Sequence, residues 1–439
     1  MSLGAPLWRA TTCVLAPALP LYLRWRAGRG KELPGRVSER SGHGADRPAG
    51  RLLWLHAASV GETVSALPLI EALLAADAAL ELLVTTGTVT SARLLEQRLP
   101  PALAPRIRHR FVPLDVPRWV GRFLDGWRPD AAVILESELW PNLIFAVQTR
   151  GIPLALVNGR MSERSLRGWR RAPALAREIL GAFRLVLAQS EADRGRFAAL
   201  GAAGAQCWGN LKYAAPPLPA DVAELARLRT LLTGRHILLA ASTHPGEDPI
   251  VAAAHERLLP RFHRLLTIIV PRHPERGEAI ARDLARLMPT RRAAGEDPGP
   301  EAGLHIADTL GELGLFYRLA DLAFIGGSLV EHGGQNPLEP ARLNCPILLG
   351  PHTWNFEEPV ARLLAAGGAL RIEPGADPAG ALAEAAGSVL SNPERGKAMA
   401  GSAAAIAAGE AALPSRIAAA LLPLLAGQDM NEGRVTVDA

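Results

Sequence analysis

The stretch RLLWLHAASVGE, residues 51–62, is a fold in miniature: an apolar strand, a polar turn and the opening of a helix. The same alternation continues downstream. Short apolar runs at 80–85 (LELLVT), 131–135 (AAVIL), 153–157 (PLALV) and 185–188 (LVLA) are separated by helix-length segments such as 63–74 and 91–99. Such a pattern predicts a parallel sheet sandwiched between helices. It then repeats at 236–240 (HILLA), 265–270 (LLTIIV), 322–325 (LAFI) and 346–349 (PILL). Pro216, Pro217 and Pro219 fall between the two series and read as a hinge, since successive prolines break helix and sheet alike. The fold class expected is α/β, with two Rossmann-like domains facing a central cleft. Ligands of open parallel sheets sit beyond the carboxyl ends of the strands, so the loops there should hold the chemistry.

Composition supports a large folded body. Of 439 residues 49% are hydrophobic and 21% charged, which excludes disorder, collagen and coiled coil. Three cysteines, Cys13, Cys207 and Cys345, are too scattered for a disulfide framework or a standard zinc site. The net charge of +5 is spread along the chain, favouring an anionic substrate or surface over a nucleic-acid arm. Residues 10–23 (ATTCVLAPALPLYL) are free of charge but shorter than the roughly 20 needed to cross a bilayer, and Pro17 and Pro20 interrupt them. Trp8, Tyr22 and Trp25 flank the run, and Arg24, Arg26, Arg29 and Lys31 follow, as suits attachment to an anionic cytoplasmic leaflet. The domains expected are thus a membrane-associating segment 1–30, a first domain 31–215, a second domain 216–427 and a loose polar tail 428–439.

The polar loops are specific. In HAASVGE, Gly61 is expected to permit a tight turn, and Glu62 sits near a helix N-terminus that favours its ionised form. It could take a proton from a hydroxyl, or merely complement the helix dipole. In ILESELWPN, Glu136 and Glu138 follow an apolar strand two residues apart and would share one side if the strand continued. No D-x-D pattern occurs to support a metal-dependent sugar-nucleotide site. Residues 158–171 (NGRMSERSLRGWRR) bring five arginines, among them Arg160 and Arg164, whose guanidinium forks match phosphate. GNLK, 209–212, supplies Lys212, one of only three lysines. The second half offers STHPGED (242–248), PRHPER (271–276), DTLGELG (308–314) and GGSLVEHGGQNPLEP (326–340). Its glycine pairs are expected to expose amides to an anion, with a helix starting near Asn336-Pro337 and Glu339 facing hydroxyls. A nucleotide or sugar nucleotide suits such a site, whereas the absence of Walker A and complete GxGxxG patterns argues against an ATPase or dinucleotide oxidoreductase.

Taken in order over about residues 50–360, these motifs, with GPHTWNF at 350–356, resemble the 3-deoxy-D-manno-octulosonic acid (Kdo) transferases of lipopolysaccharide synthesis. The resemblance implies a GT-B glycosyltransferase on the cytoplasmic face of the cell inner membrane. Its first domain would take the lipid A precursor and its second CMP-Kdo, a donor substrate, with no cofactor, metal or nucleic acid. Glu62 matches the family's general base, and Glu136 and Lys212 match positions of transition-state stabilisation. Pro271, Arg272, Gly311, Glu312, Leu313, Asn336, Pro337, Leu338 and Glu339 match CMP contacts. Ser59, Gly61, Arg160 and Arg164 are the acceptor-side candidates. Gln335 stands where the family usually has histidine, Leu135 where it has methionine, and Gly159 where it has alanine. The alternatives are a transferase of another sugar nucleotide to a lipid, or a non-catalytic membrane-attached module that binds nucleotide sugar or glycolipid.

Overall fold

A computed structural model describes residues 4–373 and 375–426; the expected tail 428–439 lies outside them. Two units are present, Met1–Ala215 with Glu410–Ala439, and Pro216–Gly409.

In the first unit seven parallel strands, β1 (Leu52–Ala57), β2 (Glu81–Thr86), β3 (Ile107–Phe111), β4 (Ala131–Leu135), β5 (Leu154–Gly159), β6 (Leu185–Ala188) and β7 (Gln206–Cys207), form one sheet. Its order is β3-β2-β1-β4-β5-β6-β7. Helices cover both faces, so β1 and β4 are buried along their whole length and read as unbroken apolar runs. From β1 the chain crosses to β2 on one side, and β4 lies on the other. This reversal opens a crevice at the carboxyl ends of β1 and β4.

The second unit repeats the plan with β8 (His236–Thr243), β9 (Leu265–Pro271), β10 (Thr290–Arg291), β11 (Leu304–Ile306), β12 (Leu322–Ile325), β13 (Ile347–Leu349) and β14 (Ala369–Arg371). Its order, β10-β11-β9-β8-β12-β13-β14, puts the corresponding crevice between β8 and β12. The proline segment packs within this unit, where Arg318 donates to the Leu218 carbonyl at 2.7 Å.

One boundary differs from expectation. The helix Pro393–Leu425 falls inside the bounds 216–427 expected for the second domain, yet from Glu410 onward it belongs to the first unit. The cause is packing: Leu413, Ile417, Leu421 and Leu424 are buried in the core formed by Leu53, Leu55, Ile70 and Val84. By length and composition it is long and apolar enough to span a membrane, the one such helix among the described residues, but that face is already occupied.

The charge-free N-terminal run is split at Pro17 into helices Gly4–Leu15 and Leu19–Gly28. The first has 12 residues, about 18 Å of helix against a hydrocarbon core of about 30 Å. It is tied to the first unit by Trp8 Nε1 donating to Asp115 Oδ2 at 2.6 Å and Asn142 Nδ2 to Thr12 Oγ1 at 3.0 Å. Leu7, Val14, Leu15, Leu21, Tyr22 and Trp25 face outward, and the Arg29 guanidinium lies 4.0 Å from the Trp25 ring centroid.

Candidate active site

Glu62 lies in the first turn of helix Val60–Ala76, directly after β1. Ser59 caps that helix, its Oγ accepting from the Glu62 N–H at 3.2 Å, and Glu62 Oε2 accepts from the Ala58 N–H at 2.7 Å. The carboxylate is therefore held over the carboxyl end of β1, buried to 6% exposure. Gly61 is not what turns the chain. It occupies an ordinary helical position where a Cβ would meet only Ser59 Oγ at 3.9 Å.

Glu136 stands across the crevice at the end of β4. Its backbone takes the left-handed conformation with φ 57°, so the strand stops at Leu135 and Glu136 and Glu138 do not share a strand face. Glu138 accepts from Trp140 Nε1 at 2.5 Å. Neighbouring Asn158, at the end of β5, also has positive φ, 55°. Its Oδ1 accepts from the Leu211 N–H at 3.0 Å, while its buried Nδ2 has no partner among the described residues. Asn210 Oδ1 accepts from the Lys212 N–H at 3.0 Å and so completes the turn that presents the exposed Lys212 side chain. Sequence reading passed over Asn158 in favour of the arginines beside it. Its signal is the residue type itself, asparagine being among the few that tolerate left-handed backbone.

Glu62, Glu136 and Lys212 thus come from three distant stretches of chain to the carboxyl end of one sheet, where the charge of Glu136 couples to those of Glu62 and Lys212. Burial is the largest influence raising the Glu62 pKa; Glu136 and Glu138 raise it further, while the Ala58 N–H and Ser59 lower it. Burial likewise raises the Glu136 pKa, against the lowering pull of Lys212 and Arg160. Arg160 and Arg164 are exposed beyond β5.

These shifts carry a sign. A carboxyl whose pKa is raised on folding stabilises the fold in its protonated form, and that contribution is lost as pH rises through the folded pKa. Glu62→Gln keeps an acceptor for the Ala58 N–H and removes a crowded charge. It is expected to melt at or above the parent protein at pH near 8, with the difference shrinking once pH falls below the ordinary carboxylate range. Calorimetric melts at both pH values check this, and a lower melting temperature at the higher pH contradicts it.

In the second unit Pro271 ends β9, and the Arg272 N–H donates to the Thr243 carbonyl at 3.0 Å, binding the loops after β8 and β9 together. Arg272 also lowers the pKa of Glu339, which burial raises, so the two face one neighbourhood. Asn336 Nδ2 donates to Glu339 Oε1 at 3.4 Å. Gly311 has φ 84°, and Glu312 accepts from Arg292 Nη2 at 2.6 Å and Nε at 3.1 Å just before helix Leu313–Leu319. The Arg292 contact holds its carboxyl below the usual range.

Two expectations fail here. The helix after Asn336-Pro337 is a single turn, Leu338–Ala341, and the Leu338 N–H is taken by Asn336 Oδ1 at 3.1 Å, so little helix dipole is available. The amides of Gly327, Ser328 and Leu329 are not free for an anion either, because the Glu247 carboxylate accepts all three.

Residues 35–215 match the family model described as 3-deoxy-D-manno-octulosonic-acid transferase (kdotransferase). The chain is 36% identical over 349 residues to the 3-deoxy-D-manno-octulosonic acid transferase of Haemophilus influenzae, covering 78% of this chain and 81% of that one. It is 38% identical over 376 residues to the enzyme of that name from Bordetella pertussis, covering 81% and 85%. Among solved structures, a glycosyltransferase from Rickettsia africae resembles it with a TM-score of 0.55 at 12% identity, covering 86% of this chain and 99% of that one. That last likeness is one of fold.

Proposed function

Since the chain belongs to the 3-deoxy-D-manno-octulosonic acid transferase family and is a glycosyltransferase of GT-B-like fold, we propose that it transfers Kdo from CMP-Kdo to the lipid A precursor with inversion, Glu62 acting as general base. The carrying observation is the electrostatic neighbourhood shared by Glu62, Glu136 and Lys212 at the first sheet's crevice.

Glu62 removes the proton from a primary hydroxyl of the acceptor as that oxygen attacks the anomeric carbon of Kdo. The bond from that carbon to the phosphate oxygen breaks, and CMP departs with the electron pair. Burial keeps Glu62 a stronger base than an exposed carboxylate, and its bond to the Ala58 N–H fixes its direction. Lys212 and Arg272 supply positive charge for the transition state, and Glu136 orients Lys212. Pro271, Gly311 to Leu313, and Asn336 to Glu339 hold the cytidylate, Glu312 through its backbone because Arg292 occupies its side chain. Ser59, Gly61, Arg160 and Arg164 serve the acceptor. The outward Leu7, Val14, Leu21 and Trp25, with the arginines after them, rest on the anionic cytoplasmic face of the inner membrane.

A turnover assay with the lipid A precursor and either CMP-Kdo or UDP-sugars tests the donor. Nucleotide release with CMP-Kdo alone is the expected result. Release with a UDP-sugar alone would replace this reading by the other transferase, and release with neither would favour a binding module.

A further inference from the structure

We propose that Glu247 is a positioning residue of the donor site: its buried carboxylate fills the amide concavity of the loop after β12 and so fixes where the donor's phosphate can sit. This rests on the reading of the second unit as the donor-binding one.

The second sheet reverses between β8 and β12, and the loops leaving those strands meet backbone to backbone. The Gly326 N–H donates to the Ala241 carbonyl at 2.8 Å, and a Cβ on Gly326 would lie 2.4 Å from the Ser242 carbonyl oxygen. Ser242 and Gly327 both have left-handed backbone, φ 57° and 66°. Into this junction Glu247, the first residue of helix Glu247–Leu258, turns its side chain at 0% exposure. Oε2 accepts from the N–H groups of His244 at 2.9 Å and Gly327 at 2.7 Å. Oε1 accepts from those of Ser328 at 3.1 Å and Leu329 at 3.0 Å.

Three successive amides converging on one point form a nest of the sort that binds phosphate. Here the chain's own carboxylate occupies it, with two donors on each oxygen; those four N–H bonds favour its ionised form against the larger effect of burial, which raises its pKa. A ligand phosphate is thereby kept out of the nest and left to Arg272 and Asn336. The clasp also holds the loop that carries the donor candidates. The His244 ring lies 3.7 Å, centroid to centroid, from that of His332, and its Nε2 is 3.0 Å from Gln335 Nε2, the residue before Asn336. Nothing in STHPGED sets Glu247 apart from its neighbours as a sequence; only the two loops converging on it do.

The test uses the full chain. Glu247→Ala leaves four amides unpaired, three of them buried, and a space the size of a carboxylate. The KM for CMP-Kdo is expected to rise about tenfold or more with kcat within about threefold. Sodium formate, against chloride at equal ionic strength, should refill the nest and bring KM back to within about twofold of the parent, whose own KM it leaves unchanged. A merely structural residue would not show that selective rescue. An unchanged KM, or a loss that formate does not reverse, overturns the proposal. If Glu247→Ala is not recovered folded, Glu247→Gln carries the test, because its amide nitrogen faces two N–H donors. A raised KM with kcat preserved is then expected, and an unchanged KM overturns the proposal. A parent protein that turns over no CMP-Kdo would instead remove the function on which the inference stands.

Discussion

Glu62→Gln is expected to lower kcat by about 10²- to 10⁴-fold, the range supplied by a positioned general base, while CMP binds as before. The substitution isolates chemistry from structure. Glutamine keeps an oxygen for the Ala58 N–H, so the helix cap at Ser59 survives and the crevice keeps its shape. The residues proposed to hold CMP all lie in the other unit, from Pro271 to Glu339. Titration calorimetry with CMP and turnover with CMP-Kdo would separate the two effects. Because burial and the neighbouring carboxylates raise its pKa, the acid limb of the parent's rate profile should lie above the ordinary carboxylate range. Near-normal turnover by Glu62→Gln would show that the base is another group.

Lys212→Met is expected to cost about 10²-fold in kcat, comparable to removing one fixed donor from a developing negative charge. Methionine preserves the apolar stem, and the turn is held by backbone amides bonded to Asn158 and Asn210, so the loop should not move. A second signature comes from Glu136. Among the charges that lower its pKa, Lys212 is the strongest, opposing the larger effect of burial. Without the ammonium the Glu136 pKa rises further, and activity that needs Glu136 ionised should fail at a higher pH than in the parent. A Lys212→Met enzyme with unchanged kcat and an unmoved acid limb would remove Lys212 from the chemistry.

The sheets were legible where strands are buried on both faces. The runs at 131–135, 185–188 and 322–325 coincide with β4, β6 and β12, because a central parallel strand leaves its whole length apolar. The strands that escaped notice are peripheral or short. In β3, Arg108, His109 and Arg110 break any apolar run, since an edge strand keeps solvent beside it. β7, β10, β11 and β14 have two or three residues each, too few to register as a period. Among site residues, Glu136 stood out because an acidic side chain directly after a buried strand requires a reason, whereas Glu62, in the first turn of a helix, was singled out by its match to the family motif. Glu247 did not stand out, because a glutamate opening a helix is ordinary, and its four bonds depend on Gly327, Ser328 and Leu329, some eighty positions away. The glycine pairs misled for a related cause: the Gly327 amide is taken by Glu247, and those of Gly326 and Gly334 by the Ala241 and Gly327 carbonyls, partners that the sequence does not show.

Kdo transfer is tested most directly by incubating the purified full chain with CMP-Kdo and the lipid A precursor and weighing the glycolipid by mass spectrometry. The expected spectrum shows the acceptor heavier by one or more whole Kdo residues, with the shift missing when Glu62→Gln replaces the parent. An acceptor of unchanged mass in the presence of intact CMP-Kdo would contradict the assignment at its root.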